Sequence, residues 1–218
     1  MKPDYDRAAT KAAEILIQYK VSTAPVDPLP IIKATKDVVV KSFVEMSENT
    51  GLNRNELLEA FHNSQDAVTS VHVIDGKKQY LIVYNHLLSD CLRQRALARE
   101  LGHIVLGHDG TLPYEIRHAE AKCFAHHLLA PRALIHAIKA SGIRFTMEVF
   151  GNLTNCNDRC LGCMRYIPET HVPAQLNRDV RNNFKDCIMN FFNFQRILTP
   201  SDGTALADLG SYMEGYVE

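Results

Sequence analysis

The stretch Arg99-Glu100-Leu101-Gly102-His103, with Gly107-His108 just beyond it, constrains this chain more than any other. It lies in the second half of a segment whose residues Leu92, Ala96, Leu101, Ile104 and Val105 predict a helix opening at Ser89-Asp90 and closing at Gly107. In the helical pattern H-E-x-x-H, two histidines four residues apart leave one helix face toward a metal ion, and the glutamate between them serves as general base. Here the glutamate and the second histidine are in place, but the first position is Arg99. A guanidinium stays protonated and offers only donors, so it cannot coordinate a cation.

A second helix, expected over 115–129 and stopped by Pro131, complements the first. Ala121 and Ala125, at i and i+4, let a neighbouring helix approach closely, with Phe124 and Leu128 packing beside them. Glu120 points the same way, and a carboxylate on a helix packed against the first is the third ligand in the Glu-type zinc peptidases. Upstream, β-forming runs at 70–74 and 79–84 flank Asp75-Gly76-Lys77-Lys78, a strong hairpin signal. This predicts a small antiparallel sheet leading into the Glu-x-x-His helix, with an edge strand to which a peptide could add. Before it come an expected helix over 5–20, an extended connection through Pro25, Pro28 and Pro30, a turn of helix at 31–34, a strand over 37–44, and a helix over 55–62 capped by Asn53.

Through Arg99-Glu100-Leu101-Gly102-His103, Gly107-His108 and the block from Glu120-Ala121 to Pro131, the chain resembles the ImmA/IrrE family of zinc metallopeptidases, over roughly residues 10 to 140. The resemblance implies an α+β, zincin-like fold, a small antiparallel sheet packed on the helices that carry the metal-site motif. That domain would occupy residues 1–145, and residues 146–218 would form a helical C-terminal extension. The resemblance also implies zinc as cofactor, Glu100 as general base, His103 and Glu120 as two of three ligands, and a regulatory protein of the helix-turn-helix repressor type as substrate.

Arg99, the altered ligand position, divides the functional reading. In one branch the chain is a zinc-dependent endopeptidase in which His108 or water makes up the missing ligand. In the other it is a metal-free, peptidase-like binding module, with Arg99 in place of the cation and paired with Glu100 or Glu120. His108 itself reads either as a ligand or as a helix-end residue beside the site. His118 should point about 160° from Glu120, and the adjacent His126 and His127 should diverge by about 100°, so that one of them is exposed.

A third reading, a DNA-associated regulator, falls on residues 146–165, where Thr146 and Thr154 cap two expected helices and Arg159 and Arg165 face phosphate. The basic patch is thin. With 24 basic against 25 acidic residues the chain has no global field to draw nucleic acid or an anionic membrane, so direct nucleic-acid binding is not expected. No apolar run approaches the ~18 residues of a membrane span, and the first residues lack a signal-peptide layout, which points to a cytoplasmic chain. In that compartment the six cysteines are expected as thiols. Cys156, Cys160 and Cys163 form a C-x3-C-x2-C set that Cys187 could complete as soft ligands, but no paired C-x2-C knuckles accompany it. Finally, a long helix expected over 175–198 carries an a/d seam of Val180, Phe184, Cys187, Phe191, Phe194 and Leu198, whose first reading is docking on the chain's own core and whose second is a homodimer.

Overall fold

A computed structural model describes residues 1–61, 64–140, 146–155 and 169–190. Its first helix, α1 (Tyr5–Gln18), begins where the Asp4 carboxylate accepts the Arg7 N–H at 2.9 Å, and it buries Ala8, Ala9, Ala12, Ala13, Ile15 and Leu16. A face built mainly of alanine lets other helices come close. α2 (Pro28–Ala34) follows, with Asp27 as cap and a proline at its first position, where no N–H is needed.

The strand expected over 37–44 is shorter than its alternation suggested. β1 (Val38–Ser42) stops because Ser42 caps a helix: its hydroxyl accepts the Glu45 N–H, and the Glu45 carboxylate accepts the Ser42 N–H in return. That helix, α3 (Phe43–Thr50), ends at Gly51 and is followed by α4 (Arg54–Ala60), capped by Asn53 as expected. β2 (Ala67–Ile74) and β3 (Lys77–Tyr84) form the hairpin, with Asp75 and Gly76 both at positive φ, 52° and 74°.

The purely antiparallel sheet is corrected. β1 joins β3 in parallel, Val38 opposite Tyr80 through Ser42 opposite Tyr84, and the order β1-β3-β2 makes a three-stranded mixed sheet. Among the described residues β2 is therefore an edge strand. α5 (Asp90–Val105) packs on β2 and β3, and α6 (Tyr114–Leu129), α7 (Arg132–Ala140), α8 (Met147–Thr154) and α9 (Ala174–Asn183) follow it in the chain.

One hydrophobic cluster runs from Ala8 in α1 through Leu97, Leu101, Phe124, Leu128 and Val149 to Ile188. α6 is its spine, packed on α1 and α5 together. Being enclosed from two sides, α6 buries both His126 and His127, contrary to the expectation that one would be exposed. α9 docks on α1 through Val180 and Phe184, and the Asn183 side chain donates to the Leu16 carbonyl at 3.2 Å. This part of the 175–198 seam is thus engaged within the chain, while Phe191, Phe194 and Leu198 lie outside the described residues. So do Cys156, Cys160 and Cys163 and the second half of the 146–165 segment. Among the described residues no helix is long and apolar enough to cross a membrane.

Candidate functional site

The contact between α5 and α6 is set by Gly102. A Cβ there would come within 2.9 Å of the Phe124 ring and 3.2 Å of the Ala121 carbonyl oxygen, so only hydrogen fits between the helices. Ala121 on the facing side is fully buried, as its spacing suggested. This close approach brings the polar residues on either side of Gly102 into the interior. Glu100 and Glu120 are both buried.

The end of α5 places His108 by a local rule. Gly107, at φ 68°, takes the left-handed conformation; its N–H bonds the Ile104 carbonyl, and the His108 N–H bonds the His103 carbonyl, each at 3.0 Å. This pair of bonds folds the second residue past the cap back over the third residue from the helix end. That juxtaposition sets His108 against His103. Their Nδ1 atoms lie 2.9 Å apart, with the rings edge to face. On the far side of the His108 ring, Nε2 lies 3.0 Å from Glu120 Oε2, and the second carboxylate oxygen, Oε1, accepts the Asp4 N–H at 2.8 Å. A carboxylate only accepts, so His108 Nε2 carries the proton. One further proton lies between the two Nδ1 atoms, donated by His103 when His108 is neutral.

His103 is held neutral. Burial, followed by the charges of His108, Arg99, His118 and Arg117, lowers its pKa to about 3. Glu100 faces the sheet instead: Oε2 accepts the Thr69 hydroxyl of β2 at 2.8 Å, and Oε1 accepts Arg99 Nε at 3.3 Å. Burial pushes its carboxyl up, opposed by the Arg99 guanidinium and the Thr69 hydroxyl. Of the two pairings expected for Arg99, the one with Glu100 is formed.

The sequence candidates therefore fall into two connected groups, His103–His108–Glu120 and Arg99–Glu100–Thr69. Thr69 carried no motif signal. His108 is neither a free ligand nor a bystander, since its ring stands between the two ligand candidates. The Gly at 107 was the readable signal for that contact. His118, discounted as a ligand from its helical angle, nevertheless stands close enough to weigh on His103, and its ring stacks on Tyr114 at 5.5 Å.

Residues 56–155 match the family model of the IrrE N-terminal-like domain, a Peptidase M78 family. Over this segment the chain is similar to the ImmA/IrrE family. No curated protein matches the chain, and no solved structure does. The match covers β2, β3, α5, α6, α7 and α8, and so every residue of both groups, while Asp4, which bonds Glu120, lies outside it.

ImmA/IrrE proteins form a metallopeptidase family, so the donors here can be tested against zinc. The two nitrogens of one imidazole point apart, and His103 and Glu120 each bond a different one. The width of the His108 ring keeps them from converging on one ion. Both Glu120 oxygens already accept hydrogen bonds, and the place of the first histidine holds a cation. Among the described residues no three His, Cys, Asp or Glu side chains are arranged to hold a metal. As arranged, these residues do not fit the ion.

Proposed function

We propose that this ImmA/IrrE-like chain is a peptidase-like binding module that receives a segment of a regulatory protein, of the helix-turn-helix repressor type, in the family's cleft and does not cut it. What carries this reading is the His108 ring between His103 and Glu120, hydrogen-bonded to both. Arg99 adds to it, because its pairing with Glu100 gives the would-be general base a counter-ion where the family's motif would supply a metal ligand.

The other reading is a zinc endopeptidase with Glu100 as base and His103, Glu120 and His108 as ligands. It is favoured by His103, which is neutral and so competent to ligate, but it needs the His108 ring to swing clear of Glu120. Equilibrium dialysis against zinc followed by elemental analysis separates the two. The wild-type chain is expected to retain far less than one zinc, and Arg99→His combined with His108→Ala to approach one. Glu100→Gln in that background should keep the metal and lose any proteolysis of a denatured protein substrate. A wild-type chain that binds one zinc tightly and cleaves protein sinks the binding-module reading.

A further inference from the structure

The rim of the cleft has a charge pattern that its floor does not explain. Arg99 on α5 and Arg117 and His118 on α6 lie close enough for their charges to act on His103, and Arg99 and Lys122 act in turn on His118. Tyr114, His118 and Lys122 follow at i, i+4 and i+8 along one stripe of α6, with Arg117 beside them. The two buried carboxylates of the site are not available to neutralise them. Glu120 is buried and bonded at both oxygens, and Glu100 is buried with one oxygen on Thr69.

Arg99 makes a single hydrogen bond among the described residues, from Nε, and at 3.3 Å it is longer than the 2.7–2.9 Å typical of an ion pair. Both terminal nitrogens, with four N–H donors between them, have no partner there, and the side chain is 25% exposed. Arg117 likewise uses only Nε, on the Leu112 carbonyl. Such a guanidinium presents a fork matched to a planar oxyanion.

Beside Arg99 runs β2, an edge strand with no second strand partner among the described residues. Thr69, which bonds Glu100, shares a strand face with Val71 and Val73, and these two are 45% and 69% exposed. A segment added along this edge would pass apolar contacts and then the Arg99 fork.

We propose that the rim binds the carboxylate side chains of an acidic, extended peptide segment laid along β2, with Arg99 taking a carboxylate where the family's motif would place a metal ligand. This rests on the binding-module reading only in assigning a peptide to the cleft. The site has turned from cation to anion recognition.

Fluorescence anisotropy in the presence of a chelator tests it, using two labelled, end-blocked peptides, one alternating Val with Glu and the other Val with Lys. The Glu peptide should bind at least about tenfold tighter, and rising salt should weaken it. Arg99→Ala and Arg117→Ala should each cut its affinity by about tenfold, while Lys33→Ala, an exposed residue of α2, should leave it unchanged. In amide exchange, the Glu peptide should protect residues of β2. Equal binding of the two peptides overturns the proposal, as does full affinity in a folded Arg99→Ala chain. Zinc uptake and cleavage by the wild type would sink the binding-module reading while leaving this charge preference to be read separately. A zinc-free chain that ignores the Glu peptide sinks the anion proposal alone.

Discussion

On the buried floor of the site, His108 and Glu120 have partners at every polar side-chain atom, all drawn from the chain itself: His103 and Glu120 for the imidazole, the Asp4 N–H and His108 for the carboxylate. At the rim beside them, Arg99, Arg117 and Lys122 stand with donors to spare. The difference is one of burial. A buried polar group without a partner is costly, and His108 supplies one to both His103 and Glu120. A rim cation is solvated and costs little to keep, so it remains available for a ligand.

The sharpest way to break this comparison is His108→Ala. It leaves a buried Glu120 oxygen and the His103 Nδ1 unpartnered and opens a void between them. The expected loss is about 3 kcal/mol or more in urea denaturation. Glu120→Gln should cost only about 1 kcal/mol, since its carbonyl can still accept the Asp4 N–H and its amide can donate to His108 in the other tautomer. Equal, small losses in both would mean that the floor is not the closed network described.

Much of the floor was legible from sequence because it follows local rules. The Glu-x-x-His spacing, Glu120 on a helix with small residues, and the Asp-Gly turn each encode geometry within a few residues. What was not legible is non-local or masked by a stronger signal. Nothing in residues 38–42 says that β1 will pair in parallel with a strand forty positions on, as roughly any crossover connection would leave open. α3 was hidden because Val38 to Val44 reads as β-forming, although the Ser42–Glu45 capping box marked its start. The bond from the Asp4 N–H to Glu120 spans 116 positions and is invisible to any window. The burial of both His126 and His127 follows from α6 lying between α1 and α5, which no helical wheel of α6 alone contains.

The closed interior continues to those two histidines, and pH reads it. Burial, followed by the charges of Lys122 and Arg95, lowers His126 to about 4; burial, followed by Arg132 and His126, lowers His127 to about 3, and His127 Nε2 lies 3.0 Å from the Thr170 hydroxyl. Both folded values lie below the unfolded 6.5, so their contribution is fully present above pH 6.5 and is lost as pH falls toward the folded values. By pH 5 each should have cost about 2 kcal/mol, at about 1.4 kcal/mol per pH unit. Glu100 runs the other way: its folded pKa is raised, so its contribution is present below 4.5 and lost as pH rises through the folded value. Denaturation at pH 7 and pH 5 checks the sum, and His127→Gln should remove its own share of the fall.

The smallest effect belongs to Arg99, and it decides which side of the comparison that residue stands on. The Arg99–Glu100 pair is partly open to water and longer than a tight ion pair, and Glu100 keeps the Thr69 hydroxyl when the arginine is gone. Arg99→Ala should therefore cost under about 1 kcal/mol at low salt and less as salt rises, because water and ions already screen the pair. Without the guanidinium the Glu100 carboxyl is pushed further up, so the fall in stability should shrink toward acid, where the carboxyl is protonated. Urea denaturation at two salt concentrations and two pH values measures both trends. A salt-independent loss as large as that of His108→Ala would make Arg99 a fixed counter-ion of the interior, with no fork left to offer a ligand.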